Sequence, residues 1–346
     1  MSDIRGGAAR AAYRIHRSLL AAGVESRMRV NRKFSDDWTV EGPTSKGARM
    51  WAGVRPRFWS LLKKFHRSGE KLYYSTNLFP SRWAPRLNRE DWDVVHLHWV
   101  GAEMLSVADI GRIRKPVVWT LHDMQAFCGA EHYTMGERWK EGYRRDNRLE
   151  GEGGIDLNRW MARQKQKHWQ RPMHIVTPSG WLADCARESA LMTDWPVQAI
   201  PQPLDLHAFA PVEPALAREF LGLPQHKKLV VFGALGGGRN YVKGFDLLIE
   251  ALRRLRGERD DLELVVFGQG EPREPLDLGF PVHYTGHLHD DLSLRMVYSA
   301  GDVMVVSSRM DNLPNTAIEA HACGTPVVAF DATGLRDIVT HQQTGY

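Results

Sequence analysis

The sequence predicts an α/β protein with two doubly wound parallel sheets, and three observations lead to this fold class. The chain has 346 residues, 43% hydrophobic and 25% charged, which suits a globular protein of two domains. Short apolar runs, typical of buried parallel strands, alternate with helical patterns along the chain. This alternation stops at a proline-rich stretch, residues 201–214, and then starts again. We therefore expect a first domain over residues 1–202 and a second over residues 203–346.

The first domain has the order of βαβ units. The pair Gly6-Gly7 opens a helix with Ala12 and Ile15 on one face, and Gly23 is the expected stop. The runs VVHLH and PVVWTLH are continuous and apolar, as buried parallel strands are. Between residues 131 and 154 the sequence is polar and predicts a long loop. The remaining strands and helices are expected at residues 27–30, 94–98, 116–121, 174–179 and 197–201, and at residues 102–113, 157–168 and 181–189, respectively.

The second domain repeats this alternation. The runs LVVFGA, LELVVFG and DVMVVSS predict buried strands, each followed by a loop and then by a helical pattern or a further strand. Strands are expected at residues 229–234, 262–268, 282–286, 302–308 and 325–330, and helices at residues 245–255, 292–300 and 316–322. Such an order predicts a second doubly wound parallel sheet.

The composition excludes several other classes of protein. No run of eighteen apolar residues is present, which argues against a transmembrane helix, and the start MSDIRGGAARAAYR has no apolar signal core. Three cysteines lie far apart without CxxC spacing, so a reducing, cytoplasmic location is expected. The net charge is +5, and the surplus of basic residues lies in the N-terminal part, where residues 1–70 contain 15 Lys and Arg but only 6 Asp and Glu. Because no DNA or RNA motif accompanies it, no nucleic acid partner is expected.

The strongest motif is DNLPNTAIEAHACGTPVVAF in the second domain. Asp311 lies in the loop before a predicted helix, and Glu319 follows eight residues later within that helix. The N-terminus of a helix offers backbone N–H groups and a positive dipole end, which together bind phosphate. Two carboxylates beside such a site suit a ligand with hydroxyl groups on both sides of a diphosphate. The motif therefore predicts a nucleotide-sugar site.

The second motif is the loop GALGGGRNYVKG between a predicted strand and a predicted helix. Its glycines, with Gly237 at the centre, allow close approach of a ligand to the backbone, and Arg239 and Lys243 supply positive charge. The loop matches neither GxGxxG nor the GxxxxGK[ST] phosphate loop, so neither dinucleotide nor Walker-type nucleotide binding is indicated. An ordinary flexible loop with solvated charges fits the same letters. The neighbouring Asp311–Glu319 motif favours diphosphate binding.

Together these segments resemble the retaining glycosyltransferases of family 4. The resemblance rests on the D/E-x7-E element followed by EAxACGTPVVAF, on VKGFDLLIEAL, and on the first-domain segments GGAARAAYRIHRSLL, DVVHLHWV, VVWTLHDM and TPSGWLADCARES. It covers nearly the whole chain and is nearest to the bacterial group that builds exopolysaccharide or lipopolysaccharide, of the colanic-acid type. It implies the GT-B fold, in which two Rossmann-like domains face a cleft. Members begin with a strand before the glycine pair and continue past TGY, so we expect a chain shortened at both ends, with an incomplete second domain.

The resemblance also implies roles for individual residues. Glu319 would bind the ribose, and Asp311, where the family usually has Glu, would bind hydroxyls of the donor sugar. Arg239 and Lys243 would neutralise the diphosphate. His122 and Asp123 would lie near the reacting sugar carbon. Further donor contacts are implied for Gly7, Gly237, Leu313, Pro314, Asn315 and Thr316, and acceptor contacts for His98 and Trp99.

The implied reaction is sugar transfer from a nucleoside-diphosphate sugar to a glycan or lipid-linked acceptor, with retention of the anomeric configuration. It needs no metal and no cofactor, because fixed cations and N–H groups stabilise the leaving diphosphate. Two alternatives stay open. A nucleotide-sugar 2-epimerase shares the architecture, and a truncated, inactive, membrane-associated paralogue would bind no donor.

Several other features have both a functional and a plain structural interpretation. The segment RPRFWSLLKKFHR, from Arg55 to Arg67, predicts a basic amphipathic helix that suits contact with the inner face of an anionic membrane, or a core-facing helix with a solvated basic face. His96 and His98 are expected to point to opposite sides, one into the core and one into the cleft. The histidines of HYTGHLHDD favour a surface loop near the nucleotide base over a metal site. Most tryptophans are expected in packing, and the candidates for stacking on sugars are Trp99, Trp139 and Trp160.

Overall fold

A computed structural model describes residues 2–63, 66–68, 72–233, 240–274, 277–288 and 290–346, without the side chains of residues 48 and 56–63. The chain divides into two compact units, Met1–Pro203 and Leu204–Tyr346. The division falls inside the proline-rich stretch, one residue after the boundary expected from the sequence.

The first unit contains a four-stranded parallel sheet. The strands described in the first unit as a whole are β1 (Met28–Arg29), β2 (Val40–Glu41), β3 (His66–Arg67), β4 (Val95–Leu97), β5 (Val117–Thr120), β6 (Gly153–Gly154), β7 (His174–Thr177) and β8 (Val197–Ala199). The helices are α1 (Gly7–Ala21), α2 (Lys46–Lys63), α3 (Trp83–Arg89), α4 (Val107–Gly111), α5 (Arg138–Glu141), α6 (Leu157–His168) and α7 (Gly180–Glu188). The order β4-β5-β7-β8, parallel throughout, brings the carboxyl ends of these strands to one edge.

Glycines flank helix α1, as predicted. Gly6 has a φ of 98°, a backbone conformation that is strained for a residue with a side chain. The helix starts at the next residue. Gly23 follows the last turn with a φ of 80°, and its N–H donates to the carbonyl of Leu20 at 3.0 Å. Ahead of the helix, Ser2 forms a parallel bridge with Arg32.

The helix expected at residues 102–113 is shorter than predicted. Ala102 and Glu103 have φ values of 52° and 61°, which no helix allows, and the helix α4 starts only after Ser106, whose Oγ accepts the N–H of Asp109 at 3.0 Å. Glu103 is buried and instead accepts hydrogen bonds from residues 76–79. A buried carboxylate that organises a neighbouring turn therefore replaces the first turns of the helix.

The helix predicted from Arg55 to Arg67 is confirmed only as far as Lys63, and its last part is wrong. The helix α2 ends at Lys63, and His66 and Arg67 form β3, which pairs with β6 in antiparallel register. Arg55 is buried and its guanidinium donates to the carbonyl of Phe79, so it does not belong to an exposed basic face. The other side chains of this helical part, residues 56–63, lie outside the described structure.

The second unit has a five-stranded parallel sheet. Its strands are β9 (Lys228–Gly233), β10 (Leu262–Phe267), β11 (Val282–Gly286), β12 (Val303–Val306) and β13 (Val327–Ala329), and its helices are α8 (Pro214–Leu221), α9 (Phe245–Leu255), α10 (Asp291–Ala300) and α11 (Asn315–Ala322). The sequence reading missed α8. Pro214 is at its first turn, and Gly222, with a φ of 65°, ends it.

Both faces of this sheet are covered. On β9, Leu229 and Val231 pack into one apolar cluster with residues of α8, α10 and α11, whereas Val230 and Phe232 pack into a second cluster with residues of α9. Successive residues of a strand point to opposite faces, so the continuous apolar run LVVF is what two covered faces require. The doubly wound sheet predicted for this half is thus observed.

The strand order β11-β10-β9-β12-β13 fixes where a ligand would bind. The chain leaves β9 toward β10 on one side and returns to β12 on the other. In open α/β sheets, ligands bind beyond the carboxyl ends of the strands at such a switch point. The loops after β9 and β12 are therefore the expected binding loops. Among the described helices, none is long and apolar enough to cross a bilayer.

Candidate active site

The loop after β9 packs directly on the segment after β12. Its described part, residues 240–244, forms a tight turn that Asn240 caps by accepting the N–H of Val242 at 3.2 Å. Gly244 has a φ of 61°, and a Cβ there would lie 1.9 Å from the carbonyl oxygen of Ser307. The N–H of Arg309 donates to the carbonyl of Val242 at 2.8 Å. Glycine at position 244 is thus needed both for the turn and for the close approach of the two loops.

Lys243 and Asp311, predicted from two separate motifs, meet at this place. The Lys243 Nζ donates to Oδ2 of Asp311 at 2.5 Å. Asp311 Oδ2 also accepts the hydroxyl of Ser308 at 3.1 Å, and Oδ1 accepts the N–H of Asn312 at 3.1 Å. Asp311 is only 7% exposed, whereas half of the Lys243 side chain, 51%, is exposed. The carboxylate is therefore fixed by its own loop, and the ammonium it holds faces solvent.

Glu319 lies deeper in the same unit. It is on α11, is 1% exposed, and accepts the hydroxyl of Tyr298 at 2.7 Å. Tyr298 is itself fully buried. Position 319 thus carries a buried carboxylate that is already oriented by a phenol, and only a ligand that reaches below the surface would contact it.

Helix α11 begins immediately after Leu313 and Pro314, with Asn315 and Thr316 as its first two residues. Its N-cap residue, Pro314, makes no side-chain capping hydrogen bond. A helix of this kind carries a partial positive charge at its start. Because Asp311 lies four residues before the helix, this positive end belongs to the same segment as the Lys243–Asp311 pair.

Arg309, a further cation two residues before Asp311, was not predicted from the sequence. Arg309 makes two hydrogen bonds to Asp246, of 2.7 and 2.6 Å, and its guanidinium lies 4.2 Å from the ring centroid of Tyr241. The hydrogen-bonded Asp246 carboxylate raises the pKa of Arg309. The only sequence signal for Arg309 is its position directly after Ser307 and Ser308, at the end of a predicted strand. Two other predicted donor residues, Gly237 and Arg239, lie outside the described residues.

In the first unit, the predicted residues gather at the carboxyl ends of β4 and β5. His98 Nδ1 lies 3.2 Å from His122 Nε2. The rings of His96 and His98 have centroids 4.2 Å apart, so the expectation that these two point to opposite sides is wrong. Residues two apart on a strand share a face. His96 is held by Thr120, whose Oγ1 lies 2.7 Å from its Nε2.

This group of three imidazoles, the histidine cluster (His96, His98 and His122), is uncharged at neutral pH. Burial lowers the pKa of His96 and of His122 to about 4. Burial and the neighbouring imidazoles also place the pKa of His98 well below its usual value. His98 and His122 therefore share one hydrogen bond between neutral rings, so toward a ligand the ring that donates in this bond can accept and the ring that accepts in it can donate.

Asp123 faces protein groups on several sides. It accepts the N–H of Gln125 at 3.0 Å and the indole N–H of Trp99 at 2.8 Å, and its Oδ2 lies 2.6 Å from His132 Nδ1. Although burial raises the pKa of Asp123, His132 and the two N–H donors hold it below the usual value. The carboxylate thus orients Trp99 and His132. His132 lies in the predicted loop and carries no motif, so the sequence did not indicate it.

The remaining candidates lie apart from these contacts. Gly7 is the first residue of α1 in the first unit. Trp139 packs on Phe127 with centroids 5.7 Å apart, and Trp160 is exposed on α6. His283 pairs with Glu263 at 2.6 Å across β11 and β10. Within the described parts of the chain, no three His, Cys, Asp or Glu side chains are arranged to hold a metal ion.

Sequence comparison assigns both units to glycosyltransferase profiles. The profile described as Glycosyltransferase Family 4 matches residues 5–208, and the one described as Glycosyl transferases group 1 matches residues 226–346. A curated relative, the D-inositol 3-phosphate glycosyltransferase of Xylanimonas cellulosilytica, is 34% identical over 165 residues, which are 43% of this chain and 38% of that protein. The match thus spans well under half of that relative's length.

Solved structures of glycosyltransferases share the fold. HepE of Anabaena, in complex with UDP and glucose, has a TM-score of 0.59 at 15% identity, covering 100% of this chain and 83% of that chain. WaaG, a glycosyltransferase of lipopolysaccharide biosynthesis, has a TM-score of 0.61 at 16% identity, covering 99% and 82%. These likenesses confirm the predicted GT-B fold of two Rossmann-like domains.

Proposed function

The chain belongs to glycosyltransferase family 4, and from this premise we propose that it transfers a sugar from a nucleoside-diphosphate donor to an acceptor with retention of the anomeric configuration. The observation that carries the proposal is the Lys243–Asp311 pair beside the start of α11, at the switch point of a parallel sheet. A half-exposed ammonium, a second cation at Arg309 and the positive end of a helix together suit a diphosphate.

Lys243 would stabilise the charge that develops on the diphosphate as the glycosyl bond breaks. A cation already held in place by Asp311 needs little reorganisation during the reaction, which is what makes such stabilisation effective. Glu319, deeper and fixed by Tyr298, would accept hydrogen bonds from the ribose. The Asp311 carboxylate already accepts hydrogen bonds from Lys243, Ser308 and Asn312. It would accept hydrogen bonds from hydroxyls of the donor sugar with its remaining lone pairs.

For the transferring sugar, we propose contacts from the histidine cluster. His122 is neutral and can donate one hydrogen bond to a hydroxyl without adding a charge. Asp123, which accepts hydrogen bonds from Gln125 and Trp99 and lies against His132, is poorly suited to act as a nucleophile. Retention would then proceed with the leaving phosphate accepting the proton of the acceptor hydroxyl, without a metal or cofactor.

The acceptor is proposed to be a glycan or a lipid-linked sugar of a bacterial surface polysaccharide. The motifs shared with that group support this class, and the name of the Xylanimonas relative makes a phosphorylated polyol the second class to assay. Exposed Met50 and Trp51 on α2, next to the exposed Arg49, support peripheral contact with the inner face of an anionic membrane. Stronger binding at low salt to anionic than to neutral vesicles would be the sign of this contact.

The proposal is tested by incubating the chain with UDP-, GDP- and ADP-sugars and a panel of glycoside and inositol phosphate acceptors. Mass spectrometry should detect a glycosylated acceptor, and NMR should show the anomeric configuration of the donor retained. Lys243→Met should reduce turnover by about a hundredfold or more, the typical loss for one group that stabilises a leaving charge.

The matched control is Lys228→Met. Lys228 also pairs with an aspartate, Asp302, at 3.0 Å, but it begins β9 at the opposite edge of the sheet, so its loss should leave turnover unchanged. Interconversion of sugar nucleotides without any acceptor would instead identify an epimerase. Equal activity in Lys243→Met and Lys228→Met would contradict the assigned diphosphate site.

A further inference from the structure

Three rings of the first unit, those of Tyr73, Trp99 and His132, form an aromatic group. Tyr73 and Trp99 are stacked, with centroids 6.3 Å apart and an angle of 28° between the ring planes. The ring of His132 packs against both, at 4.7 Å from Tyr73 and 5.4 Å from Trp99. Tyr73 is 54% exposed, whereas His132 is 4% exposed. The group therefore presents aromatic surface outward and is anchored from behind.

The anchor is a chain of hydrogen bonds. The indole N–H of Trp99 donates to Asp123 at 2.8 Å, and His132 Nδ1 lies 2.6 Å from the same carboxylate oxygen. His132 Nε2 lies 2.8 Å from the Oγ of Ser75. The backbone adds a further link, because the N–H of His132 donates to the carbonyl of Tyr73 at 3.0 Å. The rings of Trp99 and His132 are thus held in one orientation, and the backbone of Tyr73 is tied to that of His132.

The chain Ser75–His132–Asp123 has the connectivity of a hydrolase triad, yet it lacks an accessible nucleophile. Ser75 is 1% exposed, and its Oγ accepts the N–H of Ala102 at 3.1 Å. His132 Nδ1 lies against the Asp123 carboxylate, and its Nε2 lies against the Ser75 hydroxyl. The chain therefore fixes the ring plane of His132, which packs against Tyr73 and Trp99.

The place of this group in the fold indicates what it would bind. Trp99 directly follows His98 after β4, and Asp123 directly follows His122 after β5. The aromatic group and the histidine cluster therefore both lie beyond the carboxyl ends of the same two strands, β4 and β5. A pyranose has one face of C–H groups, which pack on an aromatic ring, and a rim of hydroxyls, which bond to imidazoles. A charged or fully apolar ligand would match only one of these surfaces.

We propose that Tyr73 and Trp99 form a stacking platform for a pyranose ring of the acceptor. His132 and Asp123 are positioning residues that keep the platform rigid, since a fixed ring loses little conformational freedom when a ligand binds. The assignment to the acceptor rests on the proposed transferase function. The binding of a pyranoside at Tyr73 can be measured without any turnover.

The test uses the full chain and three probes: methyl α-D-glucopyranoside, methyl α-D-mannopyranoside and methyl β-D-galactopyranoside. Saturation-transfer NMR should show at least one probe receiving magnetisation through the C–H protons of one face. Tyr73→Ala should weaken that binding about three- to tenfold, which is the contribution of one aromatic contact. Tyr73→Phe, which keeps the ring, should bind as the wild type does.

Trp38→Ala is the matched control, because Trp38 is a still more exposed aromatic residue of the same unit, at 75%. Its loss should leave pyranoside binding unchanged, and UDP affinity from calorimetry should be the same in all variants. No binding of any probe, equal binding in Tyr73→Ala and wild type, or equal losses in Tyr73→Phe and Tyr73→Ala would overturn the platform. Absence of UDP binding to the wild type would overturn the proposed function instead.

Discussion

Lys165 is a charged side chain with no exposed surface. Its ammonium group donates to three backbone carbonyls, those of Gln125, Cys128 at 2.9 Å and Gly129 at 2.8 Å. Burial lowers the pKa of Lys165 to about 8, against the opposing effect of nearby Cys128 and Glu131. These carbonyls belong to the segment that follows His122 and Asp123, so one lysine of α6 ties that segment to the domain.

Replacing Lys165 by Met should lower the free energy of unfolding by about 3 kcal/mol. The methionine keeps the length of the side chain but leaves buried carbonyls without a donor, and such unsatisfied groups are costly. Urea denaturation followed by tryptophan fluorescence measures the change. Lys167→Met, two residues along the same helix at an exposed position, should have little effect. Equal stability of both variants would show that the buried contacts do not matter.

At the scale of single residues, the sequence predicted side chains that lie in motifs and missed those whose partners lie far away in the chain. Lys243, Asp311 and Glu319 follow parallel strands, and the carboxyl ends of such strands meet at one edge. Lys165, His132 and Ser75 were missed. The His132–Ser75 contact joins residues 57 positions apart, across a pairing of two loop segments that leaves no periodic pattern.

At the scale of elements, the ends of β4 and β5 carry the histidine cluster, which makes stability depend on pH. His96 and His122 have a folded pKa of about 4, below the usual value of 6.5. Above pH 6.5 these two histidines are mostly neutral in both the folded and the unfolded chain. Between 6.5 and about 4, the unfolded chain binds protons that the folded chain does not, so the free energy of unfolding falls as the pH falls.

Urea midpoints measured above pH 6.5 and within this window should therefore decrease on acidification, and His122→Gln should flatten the decrease. His174→Gln removes an exposed histidine of β7 and should leave the slope as in the wild type. A wild-type midpoint that stays constant down to pH 4 would contradict the buried, neutral state of the cluster.

Strands and long amphipathic helices were the elements best predicted. α9, Phe245–Leu255, and α6, Leu157–His168, have the predicted bounds, because an apolar stripe or a capping aspartate marks them. The prediction of a helix at residues 102–113 was wrong in its first part because Ala102 and Glu103 adopt left-handed backbone angles. Neither residue type indicates such a conformation in a sequence. α8 was missed because it starts within the proline-rich stretch, where Pro214 serves as its first residue.

At the scale of the whole molecule, the two main parallel sheets each end in a set of candidate side chains. The first unit offers neutral imidazoles and aromatic rings, and the second offers cations, fixed carboxylates and a helix start. The number of sheets followed from the restart of the alternation after the prolines. The strand order could not be predicted from residues alone, because it depends on the side to which each crossover turns, and this order is what locates the switch point.

We propose that a nucleoside diphosphate binds the second unit at the carboxyl ends of β9 and β12. Hydrogen–deuterium exchange of the full chain with and without UDP tests this binding site, since every peptide reports separately. We expect protection by UDP at residues 240–244 and 307–319, and none at α6 of the first unit. Protection confined to the first unit, or no protection anywhere with UDP, GDP or ADP, would contradict it.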